Sequence, residues 1–215
     1  LVHIVRYKGQ QNLIKKKVER YFNEEIYNYI KNDDIGIAND LKQIWQKDYI
    51  ETTAIMKSDF SKYMEGIQDF SWEAIYGEIQ RFIKAKEFTI YSINGDSSDT
   101  LIYDNHKGEP FNVIVIGGDK LARGLTLEGL VVSYFTRSSN TYDTLMQMGR
   151  WFGYRNGYLD LCRLFTTKTL HGYFVDISRA TEDLIKQIDY MSEDVKQTPL
   201  QFGLGVESNP DLLIT

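Results

Sequence analysis

The run Phe111-Asn112-Val113-Ile114-Val115-Ile116 passes directly into Gly117-Gly118-Asp119. Four successive aliphatic residues leave no alternation between a wet face and a dry one. A strand of this kind is buried on both faces, as in a parallel sheet covered by helices. Parallel neighbours cannot be joined by a tight hairpin, so long crossovers must separate the strands. The rest of the chain has to supply more short apolar runs with helical segments between them.

It does. Leu1 to Tyr7 reads as a short buried strand ended by Gly9. From Gln10 to Lys31 the apolar residues Leu13, Val18, Phe22, Ile26, Tyr29 and Ile30 fall near helical spacing. Asn32-Asp33-Asp34 and Gly36 punctuate that helix. Residues 36–86 are expected to form a helical insertion in three pieces. Leu41, Ile44 and Trp45 mark the first, Phe60, Tyr63, Met64 and Ile67 the second, and Trp72 to Ile83 the third. Asp59 and Ser71 are the expected caps of the last two. Phe88 to Ile93 is the next strand, with Asn94-Gly95-Asp96 as its turn. After Phe111–Ile116 come strands at Leu130–Phe135 and Leu161–Phe165, with a short helix at Tyr142–Met148 between them. Leu170 to Val195 is helical again. Residues 196–215, with Pro199, Gly203, Gly205 and Pro210, form an irregular tail. The alternation predicts an α/β domain with a mainly parallel central sheet flanked by helices.

Composition narrows the function classes. Hydrophobic residues make up 42% and aromatics 13%, enough for a proper core. The net charge of −5 does not draw nucleic acid by bulk attraction, so any such contact needs a local basic strip. A single cysteine, Cys162, excludes an internal disulfide and a cysteine-built zinc site, and fits a reducing, cytoplasmic compartment. No apolar run approaches a membrane span and no signal peptide is visible, so no membrane partner is expected. The chain starts at Leu1 in an apolar run and stops at Thr215 in another, which reads as a piece of a larger protein.

Two clusters carry chemistry. In the first, Val113 to Thr126, a strand ends in two glycines and an acid and leads to Arg123-Gly124. Ligands of open α/β sheets bind at the carboxyl ends of strands. There Gly117 and Gly118 would let a ligand or neighbouring domain approach the backbone. Asp119 can cap the following helical step, and Arg123 can pair with a carboxylate or reach phosphate. The structural alternative is a strand-to-helix turn with a surface arginine. In the second, Thr141 to Arg155, a helix with Gln147 runs into Gly149-Arg150-Trp151-Phe152-Gly153-Tyr154-Arg155. Arginine's planar fork suits phosphate oxygens. The alternative here is an arginine pair bridging to acids, with the aromatics as core.

The order of these parts resembles the fifth and sixth motifs of superfamily two helicases, carried on the second RecA-like domain. Asp119-Lys120-Leu121-Ala122-Arg123-Gly124-Leu125 follows the fifth motif, with Gly118 in place of its threonine and Thr126 in place of its final acid. Gly149 and Arg150 match the sixth, with Gln147 one place closer and Arg155 two places later than usual. The resemblance is closer to one family, the Z-one (Z1) domain. It rests on G-G-D-K-L-A-R-G-L-T-L-E-G-L-V-V-S-Y-F and Y-D-T-L-M-Q-M-G-R-W-F-G-Y-R, with L-V-H-I-V-R-Y near the start and T-P-L-Q-F-G-L near the end. Membership implies an endonuclease or ATPase of bacterial restriction-modification and defence operons.

The resemblance implies that residues 1–195 are a second RecA-like domain and that 196–215 lead into a further region. It implies Arg150 and Arg155 as the catalytic arginines facing ATP phosphates. It implies Gly117, Gly118, Asp119, Arg123, Gly124 and Gln147 as nucleotide contacts, and Arg6, Asn94 and Arg137 as nucleic-acid contacts, DNA being the expected partner. The sequence contains no G-x-x-x-x-G-K-[ST] loop and no acid pair following a strand. ATP and magnesium are therefore expected to be held mainly by a first RecA-like domain of the same protein, with this chain inactive alone. Nuclease or methylase partners are implied as well. Two other readings stay open: an inactive RecA-like scaffold, and, on the strength of Asp194-Val195-Lys196 alone, the nuclease domain itself. His3, His106 and His171 are scattered, and no metal site is expected.

Overall fold

A computed structural model describes residues 1–4, 7–94, 111–118, 121, 127, 129–137, 142–148 and 157–195. The fold is α/β, with a five-stranded parallel sheet flanked by helices, consistent with a RecA-like domain. The strands are β1 (Val2–His3), β2 (Thr89–Ile93), β3 (Val113–Gly117), β4 (Val132–Phe135) and β5 (Arg163–Thr166). Their spatial order is β2-β3-β1-β4-β5. β2 and β3 run parallel from Thr89↔Val113 to Ile93↔Gly117, and β1 joins β3 at Val2↔Ile116. On its other side the Leu1 nitrogen donates to the Val132 carbonyl at 2.7 Å, and Tyr134 N donates to the Leu1 carbonyl at 2.8 Å. That pattern is the slanted ladder of a parallel pair.

Between β1 and β2 lie α1 (Lys8–Arg20), α2 (Tyr27–Lys31), α3 (Ile35–Ile44), α4 (Glu51–Asp59) and α5 (Trp72–Ala85). π-helical stretches at Tyr21–Ile26 and Trp45–Ile50 join α1 to α2 and α3 to α4. Asp34 caps α3 by accepting from Ile37 N at 3.0 Å, and Ser71 caps α5 by accepting from Ala74 N at 3.2 Å. Lys86 ends α5 in the left-handed conformation, at φ 52°. The turn brings Phe88 beside Phe82 and Phe22, with ring centroids 5.7 and 4.9 Å away.

The second expected helix of the insertion is not there. Asp59 is the last residue of α4 and not a cap, and Ser61–Tyr63 makes one 3₁₀ turn. Gly66, at φ 80°, takes a backbone that no right-handed helix contains. Met64 is nevertheless buried, so the apolar spacing served packing without a helix. Gly9 lies inside the first turn of α1 and does not end the strand there. The apolar stripe of α1 also departs from expectation: Gln11 is buried whereas Leu13 is 54% exposed.

The chain divides into two compact units, residues 1–134 with 151–164, and residues 135–150 with 165–215. In the first, Ile93, Val115 and Leu121 form a core against which Leu1, Tyr91, Val113 and Leu127 pack. Alternation along the strands puts these residues on one face of the sheet and Ile90, Ser92 and Ile116 on the other. The second face receives α1, which packs on β2 and β3. In the second unit α6 (Tyr142–Met148) packs on α7 (Lys168–Asp189), whose buried residues are Leu170, Ile177 and Ala180. Phe135 lies 6.1 Å from Phe174, centroid to centroid. Thr167 caps α7 by accepting from Leu170 N at 3.2 Å.

Candidate functional site

The strand order sets where a ligand can reach this sheet. From β1 the chain crosses to the β2 edge, whereas from β3 it crosses back over β1 to β4. Right-handed crossovers in opposite directions lie on opposite faces. The helix α1, after β1, covers one face, and Leu121 and Leu127, after β3, pack on the other. The chains leaving the carboxyl ends of β1 and β3 therefore part, and a crevice of this kind is where open α/β sheets take their ligands.

Among the described residues at this edge in the first unit are Asn94, Gly117 and Gly118. Ile93 is in register with Gly117, so Asn94 and Gly118 are the next neighbours along the two strands. Gly118 accepts from Leu121 N at 3.0 Å, which turns the chain immediately after β3. A Cβ on Gly117 would stand 2.6 Å from Leu121 Cδ1 and 2.7 Å from the Ile93 carbonyl oxygen. What Gly117 makes room for is the chain itself. The volume beside its Cα is filled and is no cradle for a phosphate group.

Polar side chains hold the edge from below. Ser92 Oγ donates to Asn12 Oδ1 at 3.0 Å, and Asn94 Nδ2 reaches Ser92 Oγ at 3.5 Å. Ser92 and Asn94 are buried, as are Gln11 and His3. Sequence reasoning singled out Asn94 but missed Asn12, Ser92 and the burial of Gln11. A signal was present, since Gln10-Gln11-Asn12 is a polar trio where the apolar stripe of α1 should begin. The first turn of that helix meets the end of the sheet, where polar side chains serve better than apolar ones.

Arg137 follows β4 by two residues and is half-buried. Gln147 lies on α6, half-buried, after the fully buried Leu145. Both belong to the second unit. Arg6, Asp119, Arg123, Gly124, Arg150 and Arg155 lie outside the described residues, as does the residue 196–215 tail.

The remaining arginine of the motif region, Arg163, is a structural one. Its guanidinium donates to the carbonyls of Asp160 at 2.8 Å, Cys162 at 2.9 Å and Asp48, and stacks 4.5 Å over the ring of Tyr49. Beside it burial pushes the Cys162 thiol up, with Asp160 adding to the shift and Arg163 opposing it.

The family model of the Z1 domain matches residues 1–213. The chain belongs to the Z1 domain family. Both glycine- and arginine-bearing stretches of this Z1 domain fall within the match, as do the helices between β1 and β2. No curated protein and no solved structure matches it. Among its described residues no helix is long and apolar enough to cross a membrane. No group of three or more His, Cys, Asp or Glu residues there is placed to hold a metal ion.

Proposed function

We propose that this Z1 domain is the second RecA-like half of an ATP-driven nucleic-acid motor in a bacterial restriction or defence system. The observation that supports the reading is the strand order at β1 and β3: Asn94, Gly117 and Gly118 follow the carboxyl ends of adjacent parallel strands, the edge at which open α/β sheets take ligands. The glycine turn and the downstream arginine cluster occur in the order such a half-domain needs.

A first RecA-like domain of the same protein supplies the phosphate loop and holds magnesium. Bound ATP supplies the phosphoryl group whose transfer drives the motor. From this side Arg150 and Arg155 reach the phosphate oxygens and offset negative charge there. The Gly117-to-Gly124 segment senses the nucleotide through its backbone and Arg123, while Gln147 orients a phosphate or the ribose. Nucleic acid, DNA in a restriction system, passes over the loops near Arg6, Asn94 and Arg137 and is held mostly by its backbone.

The test uses the full-length protein. Arg150→Ala and Arg155→Ala should each lower nucleic-acid-stimulated ATPase by a factor on the order of a thousand or more, as for arginine fingers in related motors. Melting temperature should not change. If the arginines were buried structural ion pairs, truncation would instead cost roughly 3–5 kcal/mol of stability. Normal ATPase in both variants, or loss explained by unfolding, refutes the motor reading. The filled space beside Gly117 favours a second reading, a RecA-like scaffold that binds no nucleotide. Normal ATPase in both variants is the outcome that reading requires.

A further inference from the structure

On a chain of net charge −5, contact with a polyanion needs a local source of positive charge, and α1 is one. Its 13 residues hold five of the chain's 25 lysines and arginines, namely Lys8, Lys15, Lys16, Lys17 and Arg20, against one acid, Glu19. One side of the helix is covered: α1 packs on β2 and β3, with Gln11 buried and Ile14 and Val18 half-buried. Leu13, Lys16, Lys17 and Arg20 are exposed and stand three or four residues apart, so they share the opposite stripe. Tyr21, 48% exposed, ends the stripe, and Glu24 and Glu25 bound it. Several other surface cations are paired. Arg81 bridges to Glu78 at 2.9 Å and to Glu87 at 2.7 Å, Lys57 to Asp69 at 2.7 Å, and Lys186 to Asp183 at 3.4 Å. Among the described residues Lys16, Lys17 and Arg20 form no ion pair. Like charges one helical turn apart repel, and Lys16 and Arg20 are such a pair. A face kept only for solvation is better served by interspersed signs, whereas a row of phosphates relieves the repulsion. The stripe also starts near the carboxyl edge of the sheet. Asn12 Oδ1 accepts from Ser92 Oγ at 3.0 Å, two residues before Asn94, and Lys16 follows Asn12 by one turn.

We propose that the exposed stripe of α1 is a nucleic-acid contact beyond the loops at the carboxyl edge, with Lys16, Lys17 and Arg20 holding the phosphates of a strand that runs on along the helix. Only the choice of nucleic acid as the polyanion rests on the motor reading. A membrane surface fits worse. An interfacial helix buries its apolar face in lipid, and that face of α1 already lies against the sheet. The ring of Tyr21 offers a base a surface to stack on. Phosphate contacts carry no sequence information, so the stripe adds affinity and leaves sequence preference unchanged.

The test measures binding of a fluorescein-labelled oligonucleotide, single-stranded and then annealed, to the full-length protein over a range of salt. Lys16→Gln, Lys17→Gln and Arg20→Gln combined should lower affinity on the order of tenfold to a hundredfold at about 0.1 M salt. The slope of log K against log salt should fall by about 2 on the single strand or about 3 on the duplex, at roughly 0.7 and 0.9 per phosphate contact. Glutamine keeps helix propensity, so the melting temperature should hold. Lys16→Arg, Lys17→Arg and Arg20→Lys combined should bind as wild type. Lys31→Gln, Lys47→Gln and Lys62→Gln combined remove the same charge from exposed sites of the same unit and should leave the slope unchanged. An unchanged slope for the stripe variant on both probes, or equal losses in the two glutamine variants, overturns the proposal. A second measurement needs no variant. Acetylation of the wild-type protein by an N-hydroxysuccinimide ester, mapped by mass spectrometry, should show Lys16 and Lys17 shielded by the oligonucleotide, and Lys47 and Lys62 not. Equal labelling of Lys16 and Lys17 with and without oligonucleotide also overturns it. Vesicles of phosphatidylserine and phosphatidylcholine should not retain the protein. Retention through the same three cations, with oligonucleotide binding unaffected by their loss, assigns the stripe to a membrane instead. If Arg150→Ala abolishes ATPase while the stripe variant keeps the wild-type slope, this contact is wrong and the motor reading stands. If Arg150→Ala and Arg155→Ala leave ATPase intact while the stripe variant loses binding, the motor reading fails and the contact remains.

Discussion

Leu121 occupies the volume that a side chain on Gly117 would need, its Cδ1 lying 2.6 Å from the position of such a Cβ. The Leu121 methyl could rotate away, but the Ile93 carbonyl at 2.7 Å is backbone of the neighbouring strand and cannot. Gly117→Ala should therefore destabilise by about 1–3 kcal/mol, the usual range for overpacking a core. Urea unfolding should show a lower midpoint at an unchanged slope. Adding Leu121→Ala should not restore the midpoint, because it leaves the carbonyl in place and removes a core side chain. A wild-type midpoint for Gly117→Ala would show that β2 and β3 yield freely.

Thr167 and Ser71 each meet an otherwise open amide at the start of a long helix. Thr167→Ala and Ser71→Ala should each cost about 1 kcal/mol, whereas Thr167→Ser and Ser71→Asp should cost little. Thermal melts of the four variants check this. Equal losses in the alanine and the capping replacements would mean that the hydroxyls matter for packing and not as caps.

The chain by itself should release no phosphate from ATP and bind nucleotide weakly at most, because it contains neither a phosphate loop nor a magnesium-holding acid pair. Phosphate release and isothermal calorimetry with the 215-residue chain measure both. Robust turnover would contradict the half-domain assignment.

Cys162 should react slowly. Burial raises its thiol pKa, so less thiolate is present at neutral pH than in a free thiol. Iodoacetamide at pH 8 should alkylate it more slowly than glutathione, and urea should remove the difference. The sign of the linked stability follows. The group is neutral when protonated and its folded pKa is raised. Its contribution is full below the unfolded thiol pKa and is lost as pH rises through the folded value. Alkylation as fast as that of glutathione in the folded protein would show that burial does not control this thiol.

Each of the five strands lies within or overlaps a run that could be read in the sequence, most plainly where burial is unambiguous. Val113 to Ile116 has no polar residue to confuse it, and its partner β2 was legible because Ile90 and Ile93 bracket it. Tyr142–Met148 is a helix with the expected ends. Periodicity misled where it was satisfied by something other than a helix. Met64 and Ile67 have helical spacing, but Met64 is buried and Ile67 half-buried on either side of a glycine at positive φ, which the sequence does not reveal. At the site, Asn94 could be found from its place after a strand. Asn12 and Ser92 could not, because a hydrogen bond between residues 80 apart has no local signature. The hydrogen bond from Thr53 Oγ1 to Asp160 Oδ2 was invisible for the same reason.

The first strand in the sequence is the middle strand of the sheet. Two residues, Val2 and His3, with Leu1 beside them, join the β2-β3 pair to β4. The bond from Leu1 to Val132 closes a loop of 131 residues. Contacts this remote in sequence repay the entropy of closure only late in folding. The sheet cannot form outward from its centre. Its two flanks have to assemble first and await the return of a strand synthesised well before them. Removing Leu1 to Ile4 would therefore leave the two flanks without a shared edge, a far larger loss than trimming four residues from a peripheral strand.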